Sequence, residues 1–509
     1  MKIKDIYPLW RGVCLLAICS LGLQLSSCRK LIEIDLPTGS LVEQKVFNND
    51  ADVAAVLAGI YSTMGSDKEQ LSGTNGGISL YAGMSSDELL NYVGSANPID
   101  YIYRSNSLYA DSAATERFWT APYRAIFSAN ALLEGVAKAT SSRLTDSVTR
   151  QATGEAKFLR AFNYFYLVNL FGDVPLVLGT DFNETSKMDR TDKAKVYAQI
   201  IQDLQEAEEQ LPEGYNFVPD KERVRANRAG ASALLARTYL YLERWQEAAD
   251  AASKVIADAN YELLPDLKQV FLKNSREAIF QLSVETDKEG QYLLHEANLV
   301  LPPMFWSEFP EILQLSYLSS VSDYQSIENF IAPGYYLSPA AAAAFEEGDQ
   351  RKAIWTSRLD RPNVAPYDGQ AIYFPFKYTV KPSLLNGFPQ YEMVLRLAEQ
   401  YLIRAEAYAH LGREGEALAD INMVRSRAGL ESSKASGQQA LLAAVAQERR
   451  VELFAEWGHR WFDLKRTGKA SEVLGAITEK QPWDDRQLLY PIPPMEIRND
   501  PYLDQNPGY

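Results

Sequence analysis

Apolar side chains recur every three to four positions over several long tracts of this chain. The stretches between them are polar, aromatic or rich in turn formers. Residues 44–64 place Val46, Phe47, Val53, Val56, Leu57, Ile60 and Tyr61 at helical spacing, with Asn49-Asp50 suited to a cap just inside the stretch. Helical spacing returns over 117–138 and 149–170. In the second tract Phe158, Phe162, Phe165 and Tyr166 fall on one face, and Gly172-Asp173-Val174-Pro175 stops it. A further helix is predicted over 192–211, ended by Pro212 and Gly214. Two more follow over 223–260, broken near Glu243-Arg244, and a strongly helical block occupies 391–470. The intervening residues 65–113 are rich in Gly, Ser, Asn and Tyr and predict a long loop region, while 261–390 are the least regular part. Loops beyond about 15 residues usually carry function.

Two of the helical tracts repeat each other. Ala236–Ala248 and Ala405–Ala417 agree at Ala, Tyr, Leu, Arg, Glu and Ala, in the spacing of a tetratricopeptide helix pair. Tyr and Leu on the first helix and small Ala on the second let two helices pack around a tight turn. One such pair cannot bury its apolar face, so further, degenerate units are expected in 117–138 and around Ala156–Phe162. The units lie far apart in sequence, which predicts long insertions draped over a helical scaffold.

The N-terminus reads as a targeting segment. Lys2, Lys4 and Arg11 precede a mostly apolar run, Val13–Leu25, of 13 residues. That is too short for a membrane span, which needs about 20 residues. It ends Leu25-Ser26-Ser27-Cys28, the form of a bacterial lipobox whose Cys thiol carries a diacylglycerol. All three cysteines, Cys14, Cys19 and Cys28, fall in this segment, so a chain cleaved before Cys28 has no disulfide. Cleavage removes three positive charges and one negative one and takes the net charge from −15 to −17.

Composition narrows the function classes. With 46% hydrophobic and 23% charged residues the chain is ordinary for a folded protein. An acidic chain with no basic run is a poor nucleic-acid reader. Only 3 His and 3 Cys argue against a zinc enzyme. No cofactor is expected; Ca²⁺ among the Asp-rich loops has no EF-hand spacing behind it.

Four motifs carry a resemblance. They are Ala51–Tyr61 (ADVAAVLAGIY), Gly154–Leu176 (GEAKFLRAFNYFYLVNLFGDVPL), Glu448–Arg466 (ERRVELFAEWGHRWFDLKR), and the pair Tyr490–Glu496 (YPIPPME) and Gln505–Tyr509 (QNPGY). With the lipobox they resemble the SusD/RagB family of Bacteroidetes outer-membrane lipoproteins, over essentially the whole mature chain. A small departure is Ala455-Glu456-Trp457-Gly458, where the family usually reads Phe-Glu-Gly. The resemblance implies a mainly α fold, a tetratricopeptide-like helical-repeat scaffold with long irregular loop insertions. Residues 1–27 are then the signal peptide and 28–509 a single domain, with repeat helices from about 44–64, 117–260 and 391–470 and ligand-facing insertions about 65–113 and 261–390. It also implies a SusC-like TonB-dependent barrel as partner, anchorage to the outer membrane through Cys28, and an oligosaccharide or, in the RagB branch, a peptide as ligand. The role implied is capture and delivery of a nutrient without turnover; a glycoside hydrolase is the enzymatic alternative.

Sugar recognition needs flat apolar faces with hydrogen-bonding groups beside them. Two regions offer them: 81–103, with Tyr81, Asp87, Tyr92, Asn97, Tyr101 and Tyr103, and 292–336, with Tyr292, Trp306, Tyr324, Tyr335 and Tyr336. In the family a key aromatic often precedes a segment resembling Pro339–Arg351 (PAAAAAFEEGDQR), which singles out Tyr335 and Tyr336. The candidate ligand contacts are therefore Tyr81, Asp87, Tyr92, Tyr101, Trp306, Tyr335 and Tyr336. Phe158, Phe162 and Phe165 are expected in the core. Glu448, Arg449, Arg450, Arg460 and Asp463 are expected in a buried ion-pair network. For the anchor, Cys28→Ala is expected to abolish labelling by palmitate and to move the protein from the membrane fraction to the soluble fraction; label retained by the variant would contradict the lipidation site.

Overall fold

The computed structural model describes residues 47–65, 76–283, 294–306, 321–379 and 390–509, with the side chains of Phe305 and Trp306 excepted. Cys28 and the signal segment lie outside the described residues. Nine helices make the scaffold described below: α1 Asp50–Gly65, α2 Glu116–Lys138, α3 Asp146–Phe171, α4 Lys193–Gln210, α5 Arg228–Tyr241, α6 Trp245–Ile256, α7 Leu397–His410, α8 Glu414–Arg427 and α9 Gln438–Glu452. Several follow the apolar periodicity of their sequence, whereas α5 is buried on every side from Ala229 to Leu240, and several start on a polar cap. Asn49 accepts from the Asp52 amide at 3.0 Å, so the predicted cap marks the start of α1 and not its interior. Thr145, Asp192 and Asn227 cap α3, α4 and α5 in the same way. Gly172, at φ +79°, ends α3 in a conformation that side chains rarely adopt, and Leu489 packs against it.

The helices stack in one line through space. α3 packs between α2 and α4, α4 on α5, α5 on α6, α6 on α7, α7 on α8, and α9 covers α7 and α8. The contact of α6 with α7 closes over the whole 261–390 insertion, so the repeat is continuous in space although interrupted in sequence. The two repeat turns are built alike. The Tyr239 and Tyr408 carbonyls accept from the Arg244 and Arg413 amides, both at 2.9 Å. Each Arg lies over its Tyr ring, at 4.6 and 4.1 Å, and pairs with Glu247 or Glu416. Glu243 and Gly412 occupy the left-handed position of their turns, and Ala248 and Ala417 are fully buried beneath them. Trp245 stacks on His410 at 3.7 Å, joining the two units. The predicted aromatic face of α3 is core: Phe158, Phe162 and Phe165 are at most 1% exposed. Burying such a ring is worth roughly 1.5–3 kcal/mol.

Among the described residues, six short strands pair into three antiparallel ribbons: β1 Leu89–Asn91 with β3 Tyr335–Leu337, β2 Ala278–Leu282 with β6 Glu392–Arg396, and β4 Thr356–Leu359 with β5 Ile372–Pro375. Two expectations are corrected here. Residues 65–113 are not one long loop: they hold helices Ile78–Ser85 and Pro98–Arg104 and strand β1. Every residue of Ile78–Ser85 is buried, so this helix has no polar face to give it a period. The block 391–470 opens as strand β6, because Met393-Val394-Leu395 is a short apolar run that periodicity cannot assign.

A buried charge network ties the insertion to the scaffold. Glu452, at the end of α9, accepts from Arg396 Nη1 at 2.6 Å, from Arg351 Nη1 at 3.0 Å, and from Arg427. Arg351 also holds Asp349 and Glu448, Arg396 holds Glu277 and Glu456, Arg427 holds Glu277, and Lys377 donates to Glu456. Burial opposes the charge on Glu452, yet Arg427, Arg396 and Arg351 hold its carboxyl well below the usual range. Removing one member strands the rest, which costs about 3–5 kcal/mol. Glu452→Ala is therefore expected to lower unfolding free energy by about that amount in urea titrations; a loss below about 1 kcal/mol would contradict the network's role.

Candidate functional site

The two aromatic regions singled out in the sequence meet in the β1–β3 ribbon. Leu89, Leu90 and Asn91 pair with Leu337, Tyr336 and Tyr335, and the Tyr92 amide extends the ladder to the Gly334 carbonyl at 2.9 Å. Side chains alternate across a strand, so neighbours cannot share a face. Leu89, Asn91, Tyr335 and Leu337 point inward and are buried, while Leu90, Tyr92 and Tyr336 point outward and are half-buried. The Tyr92 and Tyr336 rings meet edge to face at 6.3 Å.

Helix Val321–Ile331 and the loop between β4 and β5 complete this face. The Tyr92 hydroxyl donates to Glu328 Oε1 at 2.5 Å, and the Tyr367 hydroxyl donates to Glu328 Oε2 at 2.7 Å. Partial burial and the bond to Glu328 push the Tyr367 phenol up to about 12. Tyr324 packs its ring against Tyr367 at 4.8 Å from beneath and is 2% exposed. Arg361 reaches Asp368 within the loop, and Arg104 pairs with Glu479 beside Asn91. Val93, Phe330 and Val364, on the same three segments, are more than half exposed. The result is a face of three phenol rings with charged and polar groups at its edges, a form that suits the C–H face and hydroxyl rim of a sugar.

The other predicted contacts are placed elsewhere. Tyr81 is 5% exposed, packed on Tyr103 at 4.4 Å and Phe118 at 5.7 Å, and leaves no face for a ligand. Tyr335 is turned inward by strand alternation, and its hydroxyl donates to Asp100 at 3.0 Å. Asp87 is an anchor: it accepts from Arg460 at 2.6 and 3.0 Å and from Arg450 at 2.9 Å. Burial works against its charge, and the bonds and charges of Arg460 and Arg450 hold its carboxyl below the usual range. These three expectations are corrected, since each side chain is consumed by the interior. Tyr101 is half-buried on helix Pro98–Arg104, and among the described residues no contact joins it to the phenol cluster. Trp306 ends the turn Pro303–Trp306, and its side chain lies outside the described residues. Glu328, Tyr367 and Arg361 were not singled out from sequence; a Tyr between Pro366 and Asp368-Gly369 in a turn-rich segment was the available signal.

Two other concavities differ in chemistry. A groove of about 590 Å³ between α4, α5 and α6 is lined by Glu208, Glu213, Arg228, Ser232, Lys254 and Asp258, with no aromatic ring. A far smaller hollow, of about 10 Å³ by the same measure, lies beside Glu296, Lys377 and Tyr378. Among the described residues no group of three or more His, Cys, Asp or Glu side chains is placed to hold a metal ion. Asp87→Ala and Tyr81→Ala are each expected to destabilise the fold by about 3–5 kcal/mol, whereas Tyr336→Ala and Tyr367→Ala cost about 1 kcal/mol or less. Thermal unfolding of the four variants checks the division. Because the Asp87 carboxyl is depressed, its contribution is present above the ordinary aspartate value and is lost as pH falls through the folded value. Asp87→Asn should therefore resemble wild type more closely at acid pH than at pH 7, and an equal gap at both would contradict the assignment.

Comparison with known proteins gives a consistent family. The SusD family model matches residues 355–509, and a model described as "Starch-binding associating with outer membrane" matches residues 40–240. A SusD-like protein, P25, of Formosa agariphila is 26% identical over 94% of this chain and 95% of its own. The starch-binding protein SusD of Bacteroides thetaiotaomicron is 27% identical over 72% of this chain and 74% of its own. Among solved structures, a laminarin-binding SusD-like protein superposes with a TM-score of 0.71 at 26% identity, covering 91% of this chain and all of that one. The fold, the terminal motifs and these matches agree: the chain belongs to the SusD/RagB family.

Proposed function

We propose that this protein captures a glycan at the cell surface and acts as the lid of a SusC-like TonB-dependent outer-membrane transporter. The observation that carries the reading is the convergence of Tyr92, Tyr336 and Tyr367, from three separate segments, on one accessible face with Glu328 and Arg361 beside them. The names of relatives support the ligand class, since one is starch-binding and another laminarin-binding. The lipobox ending at Cys28 supports tethering to the outer membrane, and the helical stack supplies a long, rigid face for the barrel.

The chemistry at the face is that of retention. A ring that hides some 50 Å² of sugar is worth roughly 1 kcal/mol, so three rings supply about 3 kcal/mol. That alone gives weak binding, on the order of millimolar, which edge hydrogen bonds and closure against the barrel would tighten. Glu328 is occupied by two phenol donors and Asp368 by Arg361, so neither is free to act as a proton donor in hydrolysis.

The test is affinity electrophoresis and calorimetry of the protein from Arg29 onward against laminarin, starch and peptide mixtures, with products followed by chromatography. Binding of a glycan without shortened products is expected, with affinity falling about fivefold for Tyr336→Ala, equivalent to the roughly 1 kcal/mol of one ring. Release of shorter sugars, binding confined to peptides, or wild-type affinity in the variant would contradict the reading.

A further inference from the structure

The aromatic face is pinned by a single carboxylate. Glu328 accepts from Tyr92, which lies 236 residues away in sequence, and from Tyr367, 39 residues away, using one oxygen for each. It thereby joins the β1–β3 ribbon, helix Val321–Ile331 and the β4–β5 loop at one point. A carboxylate with both oxygens taken by phenols fixes the height and tilt of two rings before any ligand arrives, which lowers the ordering cost of binding.

The charge around this point is uneven. Arg361 and Arg104, which flank Tyr336, are each taken by an acid, Asp368 and Glu479. Among the described residues no Lys or Arg nitrogen lies within salt-bridge reach of Glu328, whose partners are neutral phenols. The face therefore presents a net negative charge at the centre of its rings, and the cations that could receive a carboxylate or sulfate on a sugar are already engaged.

Building on the glycan-capture reading, we propose that Glu328 is the positioning and specificity-determining residue of this face. It sets the Tyr92 and Tyr367 rings and makes the face take uncharged sugar chains while rejecting acidic ones such as uronates. Like charges held near one another repel, and for partly exposed groups the repulsion weakens as salt screens it. The selection is therefore expected to shrink at high ionic strength, whereas stacking on the rings is not.

The experiment compares laminarin and amylose, each beside its C6-oxidised, uronate-bearing counterpart, on wild type, Glu328→Gln and Glu328→Ala. Hydrogen exchange of residues 360–371 is measured in parallel without ligand. Wild type should bind the neutral polymer it recognises at least about tenfold more tightly than the oxidised one in dilute salt. Glu328→Gln removes the charge but keeps an acceptor, so it should narrow that ratio to within about threefold. Glu328→Ala should speed exchange across 360–371 by about tenfold or more, with far-UV circular dichroism unchanged. An oxidised polymer bound as tightly as the neutral one, or a ratio unchanged in Glu328→Gln, overturns the specificity role. Binding of neither polymer counts against glycan capture itself. The exchange data then decide the positioning role alone: accelerated exchange upholds it and unchanged exchange overturns it.

Discussion

Glu452 lies wholly out of water with the guanidinium groups of Arg351, Arg396 and Arg427 around it, and the three arrive from different parts of the chain. Arg427 ends α8, Arg396 ends β6, and Arg351 lies within the long insertion, on the short helix Gln350–Trp355. Charges at this depth are tolerable only when each is matched, so the network fixes where all three segments must sit. Extended through Glu277, Glu448, Glu456 and Lys377, it replaces what would otherwise be an apolar seam between the helical stack and the insertion. An apolar seam of equal volume could be as stable, but it would admit sliding; paired charges impose a register.

The candidate site inherits that register. Asp87 immediately precedes β1's lead-in and is held by Arg450 and Arg460, from α9 and from helix His459–Arg466. β3 runs through Ser338, which caps the next turn and donates to the Asp87 carbonyl at 2.5 Å, and on to Asp349 and Arg351 in the network. Both strands of the ribbon are thus moored to the Glu448–Arg466 motif. Their inward side chains pack into the interior, and their outward ones, Tyr92 and Tyr336, form part of the phenol face. The same sequence motif that marks the family serves the site indirectly, as its foundation.

Much of the scaffold was legible because helical repeats announce themselves locally. The Tyr, Arg and Ala of the two repeat turns occupy equivalent places in both units, as their spacing required. The site was legible by region and not by residue. Tyr335 and Tyr336 are adjacent, so a strand must send them to opposite faces, but which one faces out depends on the pairing with β1, 245 or so positions earlier by the register Asn91–Tyr335 and Leu90–Tyr336. Tyr81 and Asp87 carry the right chemistry for a ligand and spend it on the interior, a choice made by burial and not by local sequence. Glu328 and Tyr367 were missed for the converse reason: each looks like an ordinary surface residue until the fold brings them together.

The central claim is that the fold presents one phenol-lined face for a glycan. The most direct measurement is a crystal structure of the protein with an oligosaccharide that it binds in solution. The account predicts sugar rings stacked on Tyr336 and lying between Tyr92 and Tyr367, with hydroxyls at Glu328 or Arg361. Sugar seated instead in the charged groove between α4, α5 and α6, with the phenol face empty, would contradict it.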